Sequence, residues 1–391
     1  MVSGQEAYAA ALSGLPGMGP ATLVRILAER DPEEAWRAVL AGRIERPARG
    51  ASPDQGRMPI AGPGSAPARS WAAAARRVDP PGWWAPLAGS GVGVTWRGQP
   101  DYPTALVDDP EPPGVLFWRG DLTALDRPAV AVVGTRNATP DGLAVAFEMG
   151  RDLAAAGVCV VSGLALGIDG AAHRGCLSAL ADGGAAPPAG VAASGVDVPY
   201  PRRHGELWRR VGSRGVILSE NLPGRPPQAW RFPARNRVIA GLARLVVVVE
   251  SHARGGSLIT AEAALERGVE VRVVPGPVRS PASAGSNQLL YDGPGPVRHA
   301  RDVLDAIGLF RPDPPAPDGS RGRAGPAGGR APAGRSDPVE AAVLRALGRR
   351  PATVGDLMAR AGLDAGAVAR GLQRLDAAGL VAESGGWWSR T

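Results

Sequence analysis

The chain contains no lysine, so all 44 of its basic residues are arginines. Without lysine there is no phosphate-gripping residue for a Walker A loop, no kinase lysine and no Schiff-base amine, which sets ATP-driven and pyridoxal chemistry aside. Cysteine is almost as scarce. Cys159 and Cys176 are the only two, and neither stands in a CxxC pair. That argues against a disulfide framework and a cysteine-based zinc site, and it fits a reducing compartment. No apolar run approaches the roughly 18 residues of a membrane span, and the opening stretch lacks a basic segment followed by an apolar core. A cytoplasmic protein without a membrane partner is expected.

The 391 residues are 44% hydrophobic, enough for a sizeable core and for two or three domains. A net charge of +7 and a pI near 10.4 favour a polyanionic partner. Arginine's planar fork can grip phosphate oxygens in pairs and stack on bases, so this charge suits nucleic acid.

Residues 1–42 read as a small helical domain resembling a helix-hairpin-helix or SAM-like unit, with Leu23, Ile26 and Leu27 at helical spacing after a Gly-containing turn. Residues 43–84 read as a flexible connection. Across 85–310 apolar strand-like runs alternate with helical stretches: Val130–Val133, Val158–Val161, Gly190–Ser194, Val216–Leu218, Leu245–Val249 and Val269–Val274. This alternation predicts an α/β fold with a Rossmann-like, doubly wound, mostly parallel sheet. Residues 311–336 carry five Arg against two Asp among Pro and Gly and read as a disordered linker. Residues 337–391, three short helices and a two-strand hairpin in outline, read as a winged-helix-like domain. Its seven Arg against six acidic residues leave it nearly neutral, which does not single out DNA over a protein partner.

Parallel strands would put Gly134-Thr135-Arg136 and Ser162-Gly163 at one carboxyl edge of the sheet, where amides and helix N-termini favour anions. Neither turn is that of a dinucleotide site: GxGxxG spacing is missing after the first strand, and Ser-Gly stands where a ribose-binding acid is expected. A third turn, Gly255-Gly256-Ser257 leading to Thr260, adds hydroxyls suited to phosphate. The glycines could equally serve only tight strand-to-helix turns. The segment Trp230–Arg237 holds three arginines (Arg231, Arg235, Arg237), Asn236 and two aromatics within eight residues. A backbone grip with a stacking platform is what a single strand requires. The blander alternative pairs Arg235 and Arg237 with carboxylates such as Glu220 and Glu250, and buries Phe232. Asp169 and His173, one helical turn apart, would have to supply any metal or hydrolytic site. A helix cap and a lone structural histidine explain them better, so no catalytic residue, metal or cofactor is assigned.

These strings together resemble the DNA-processing protein A (DprA/Smf) family: Gly134-Thr-Arg136, Ser162 through His173, Pro233 through Leu242, Gly256 through Ala261, and Pro275-Gly276 with Ser286-Asn287. The resemblance implies an extended Rossmann fold that works without catalysis, forms a homodimer, binds single-stranded DNA and loads a RecA-type recombinase in natural transformation. It places DNA contacts on Arg136, Ser162, Gly163, Phe232, Arg235, Asn236, Gly256, Ser257 and Thr260, with Arg231 standing in for a basic residue before the Phe. Arg136, Arg231 and Arg235 would hold phosphates, amides at 162–163 and 255–257 would assist, and Phe232 would stack a base. One departure is Ala192-Ala-Ser-Gly195-Val-Asp197, where the family has Gly-x-Gly-Leu-Asp. The rival class is a nucleotide phosphoribohydrolase on a related fold, and a metal-dependent nuclease using Asp169, His173 and Glu220 ranks last.

Overall fold

The computed structural model describes residues 4–44, 71–181, 183, 185–309, 337–347, 352–384 and 387–390. These fall into two compact units, divided after Pro312. The linker expected at 311–336 lies outside the described residues.

The first unit opens with α1 (Gly4–Ser13), α2 (Pro20–Glu29), α3 (Pro32–Leu40), α4 (Trp71–Ala75) and α5 (Pro80–Gly89). Next come β1 (Val92–Trp96), β2 (Val115–Gly120), β3 (Ala129–Val133), α6 (Pro140–Ala155), β4 (Cys159–Ser162), α7 (Ile168–Ala181), β5 (Ala189–Val191), α8 (Gly205–Arg214) and β6 (Val216–Ser219). The unit closes with α9 (Arg231–Leu242), β7 (Leu245–Val248), α10 (Gly256–Leu265), β8 (Glu270–Val273), α11 (Ala284–Asp292), β9 (Gly295–Pro296) and α12 (Ala300–Ala306). Nine strands form one sheet in the order β1-β2-β6-β5-β4-β3-β7-β8-β9. From β6 to β9 every pairing is parallel, and β1 and β2 extend one side antiparallel.

The central strands β3 and β7 are apolar at every position because both faces are covered. Val130, Val132 and Val247 meet α6 and α7 on one side, whereas Ala131, Val133 and Val246 meet α9 and α10 on the other. Glycine lets α6 and α7 come close. A Cβ on Gly175 would sit 1.9 Å from the Phe147 carbonyl oxygen, and one on Gly150 would sit 2.1 Å from that of Ala172.

Two expectations change at the amino end. The first helices do not build a core of their own, since Leu12, Leu23, Ile26 and Trp36 share one with Trp84, Val94, Phe117 and Ile217 of the sheet region. Within the stretch read as a connection, residues 71–84 carry α4 and the start of α5, with Trp71 and Trp84 buried. Composition suggested a linker because Ala, Pro and Arg dominate, but two indoles bury enough apolar surface to anchor short helices. The strand expected over Gly190–Ser194 is Ala189–Val191. Beyond it the Ser194 carbonyl accepts from the Ser219 hydroxyl at 2.7 Å and the Ser194 hydroxyl turns to the Val198 carbonyl.

The second unit holds α13 (Pro338–Leu347), α14 (Val354–Ala361) and α15 (Ala365–Ala377), closed by the hairpin β10 (Val381–Ser384) and β11 (Trp387–Arg390). Val343, Leu347, Leu357, Val368, Leu372 and Leu375 form its core. Thr353 and Asp356 cap α14 reciprocally. The arrangement is the winged helix expected from three short helices followed by a hairpin. Among the described residues no helix is long and apolar enough to cross a membrane.

Candidate nucleic-acid interface

The strand order reverses at β3, whose two neighbours are β4 and β7. The chain leaves β3 for one side of the sheet and returns to β7 on the other, which opens a crevice beyond their carboxyl ends. All three glycine turns of the sequence converge on this edge, but they are not alike.

In the first turn the Thr135 amide donates to the Glu250 carbonyl at 2.7 Å. The Glu250 carboxylate then accepts the Thr139 amide at 2.9 Å and the Thr139 hydroxyl at 2.6 Å, so the protein's own anion fills the start of α6. The sequence left Glu250 as one carboxylate that could orient an arginine. It holds the cap of α6 instead: Thr139, fixed by Glu250 through its amide and hydroxyl, accepts the Gly142 amide at 3.0 Å. In the second turn the Gly163 amide donates to Asp169 Oδ2 at 3.1 Å, and burial raises the Asp169 carboxyl above its usual range against the pull of Arg235. Asp169 thus braces the β4–α7 turn rather than capping α7, and the Gly163 amide is not offered to a ligand. The third turn is open. Gly255 spends its amide on the His252 carbonyl, but Gly256 is exposed, and the first-turn amides of Gly256 and Ser257 have no partner among the described residues.

Arg235 is the largest departure from expectation. Only 7% exposed, it donates through Nη1 to the carbonyls of Gly163 and Val191, both at 2.6 Å, and through Nε to Asn236 Oδ1 at 3.0 Å. Burial lowers its pKa to about 10, with Asp169 opposing the shift, so the group stays charged at neutral pH. It ties together β4, β5 and α9 beneath the site. Asn236 continues the brace, its Nδ2 donating to the Gly256 carbonyl at 3.2 Å. Ser162 and Thr260 are buried as well, and the Ser162 hydroxyl donates to the Val132 carbonyl at 2.7 Å. Arg237 is spent on the protein itself. It pairs with Glu220 at 2.5 Å and donates to the Glu111 carbonyl. These residues shape the edge and do not form its outer surface.

That surface is aromatic and cationic. The Arg136 guanidinium lies over the Phe232 ring, 4.9 Å from its centroid, and Arg136 joins no ion pair among the described residues. Tyr200 also stands against Phe232, with centroids 5.7 Å apart and planes tilted by 56°. Arg136, Gly163, Tyr200, Phe232 and Arg235 line a cavity of about 60 Å³ together with Ala192 and Ala193. The substituted segment therefore forms part of the wall. Its Asp197 accepts the Gly224 amide through both oxygens, at 2.7 and 2.9 Å, which pins the turn leading to Trp230. Trp230 is 47% exposed and carries Arg231 5.0 Å from its ring centroid. Arg231 also donates to the Pro226 carbonyl, and burial together with Arg225 lowers its pKa. Tyr200 was not found from the sequence, where it stood only as the residue before a proline beyond the altered segment. Its proximity to Phe232 depends on long-range packing.

A doubly wound sheet whose switch-point edge bears unpaired guanidinium and aromatic surface, joined in the same chain to a winged helix, defines a nucleic-acid-handling protein. The residues 93–308 match the family described as DNA recombination-mediator protein A, and the chain belongs to that family. Residues 335–386 match the MarR family. The chain is 38% identical over 207 residues to the DNA processing protein DprA of Bacillus subtilis, covering 53% of this chain and 68% of that one. It is 41% identical over 203 residues to the protein of the same name from Streptococcus pneumoniae, covering 52% and 70%. The solved structure of the latter superimposes with a TM-score of 0.60 at 30% identity, over 78% of this chain and 98% of that one.

Proposed function

We propose that this protein is a non-catalytic mediator that binds single-stranded DNA along the switch-point edge and hands it to a RecA-type recombinase in the cytoplasm, as a homodimer, during uptake of DNA. Binding rests on one observation above the others: Arg136 lies on Phe232 without a carboxylate partner among the described residues, beside the charged Arg235. An exposed cation–π contact is worth about 0.5–1 kcal/mol, and a charge-assisted hydrogen bond to phosphate is stronger. An arriving phosphate therefore draws Arg136 off the ring and bares Phe232 for a base. The open amides of Gly256 and Ser257 take a second phosphate, and Trp230 with Arg231 extends the track. Recombinase delivery, the dimer and the setting rest on the family.

A small-substrate enzyme fits less well. The cavity of about 60 Å³ falls far below the roughly 300 Å³ at which ligand pockets begin, and no carboxylate lines it. A polymer that lies across the edge needs no such enclosure.

Fluorescence anisotropy with labelled oligothymidine tests this reading. Affinity falls as salt rises, and Arg136→Ala lowers the salt slope by about 0.7. Phe232→Ala weakens binding about 5- to 100-fold at every salt concentration. Binding that ignores both substitutions, or release of free base from a nucleoside monophosphate, overturns it.

A further inference from the structure

We infer that Tyr200 is a second base-stacking residue of the interface, and that it sets how strongly the protein responds to bases rather than to phosphates. The inference rests on the single-strand reading above. In the free protein Arg136 occupies one face of Phe232 and Tyr200 abuts the same ring, so Phe232 has little open surface to offer. Tyr200 is 39% exposed and belongs to the same cavity wall, so it holds the ring surface available before any side chain moves.

The segment around Tyr200 is firmly held. The following Pro201 lines the cavity, and His204 is buried with Nδ1 3.0 Å from the Leu164 carbonyl oxygen. A Cβ on Gly170 would lie 2.5 Å from the His204 ring, so the segment is clamped against the start of α7. A half-exposed ring on an anchored segment loses little freedom when a base stacks on it. The exposed Arg202 and Arg203 follow directly in sequence and form no ion pair among the described residues. Base surface and phosphate attraction thus occur together, the combination that tolerates any sequence because every base has a π-face.

The full chain is measured by anisotropy against two oligonucleotides of equal length, oligothymidine and an abasic backbone. Tyr200→Ala weakens binding to oligothymidine roughly 5- to 100-fold, the usual range for one stacked base, and changes abasic binding less than about twofold. Tyr200→Phe keeps the ring and restores wild-type binding. Tyr200→Leu preserves the apolar contact with Phe232 without a π-face, and loses oligothymidine affinity as Tyr200→Ala does, which guards against a folding defect. Equal losses on both oligonucleotides, or full affinity in Tyr200→Leu, overturn the inference. Loss in Phe232→Ala with none in Tyr200→Ala removes this inference alone, whereas failure of the wild type to bind oligothymidine removes the single-strand reading itself.

Discussion

Arg235→Ala is expected to destabilise the first unit by about 3–5 kcal/mol, the range for removing one partner of a buried charge pair. For a unit of this size that lowers Tm by on the order of 10 °C. The reason lies in what the guanidinium holds: two carbonyls at 2.6 Å, on Gly163 and Val191, the Asn236 side chain, and the charge of Asp169. All of these lose their partner at a largely buried position. Arg235→Lys does not rescue, because one ammonium cannot serve acceptors that a planar fork meets at fixed angles. The pH dependence gives a second signature. Burial raises the folded pKa of Asp169 and Arg235 restrains it, so without Arg235 it rises further. Above the unfolded value the folded state then binds the extra proton, and stability falls as pH rises through that window. The deficit of Arg235→Ala is therefore largest at neutral pH and narrows toward pH 4. Thermal melts across pH check both points. An unchanged Tm with lost DNA affinity would return Arg235 to the role of a direct phosphate ligand.

Arg235 also marks where the sequence ceases to be informative. Apolar runs such as Ala129–Val133 and Leu245–Val248 announce buried parallel strands, and glycine at 134, 163 and 255–256 announces turns, so the edge that carries the site was legible. Whether a turn is open or filled was not. Filling depends on Glu250 reaching Thr139 across 111 positions, and on Asp169 folding back onto Gly163. The same limit applies to arginine, whose side chain is long enough to grip a phosphate outside or a carbonyl inside. Of the three in Trp230–Arg237, one braces the sheet, one pairs with Glu220 and one lies on an indole. The antiparallel strands β1 and β2 gave a weaker signal, for Gly93 interrupts Val92–Trp96. That glycine is required because a Cβ there would fall 2.1 Å from the Trp118 ring.

His173 makes the protein acid-sensitive in a defined window. It is fully buried on α7 with Nε2 3.3 Å from the Ala189 carbonyl oxygen, and Nδ1 has no partner among the described residues. Burial lowers its pKa from 6.5 to about 4, outweighing the opposite pull of the Ala189 carbonyl. Between those values the unfolded chain takes up a proton that the folded chain does not, so stability rises with pH across the window. The contribution is complete above about pH 6.5 and is lost as pH falls toward 4. At 1.36 kcal/mol per pKa unit, lowering the pH from 7.5 to 4.5 removes about 2–3 kcal/mol through this residue. Asp169 and Glu220, both raised by burial, act in the opposite sense, so the whole-protein curve does not isolate the effect. The difference between wild type and His173→Gln does. Glutamine can still donate to Ala189 but cannot titrate, so urea midpoints for this variant decline less from pH 7.5 to 4.5, by the stated 2–3 kcal/mol after multiplication by m. Parallel decline in the two proteins would show that His173 is protonated in the folded state, which would require a second, solvated route to Nδ1 and reopen an acid–base role for α7 at the sheet edge.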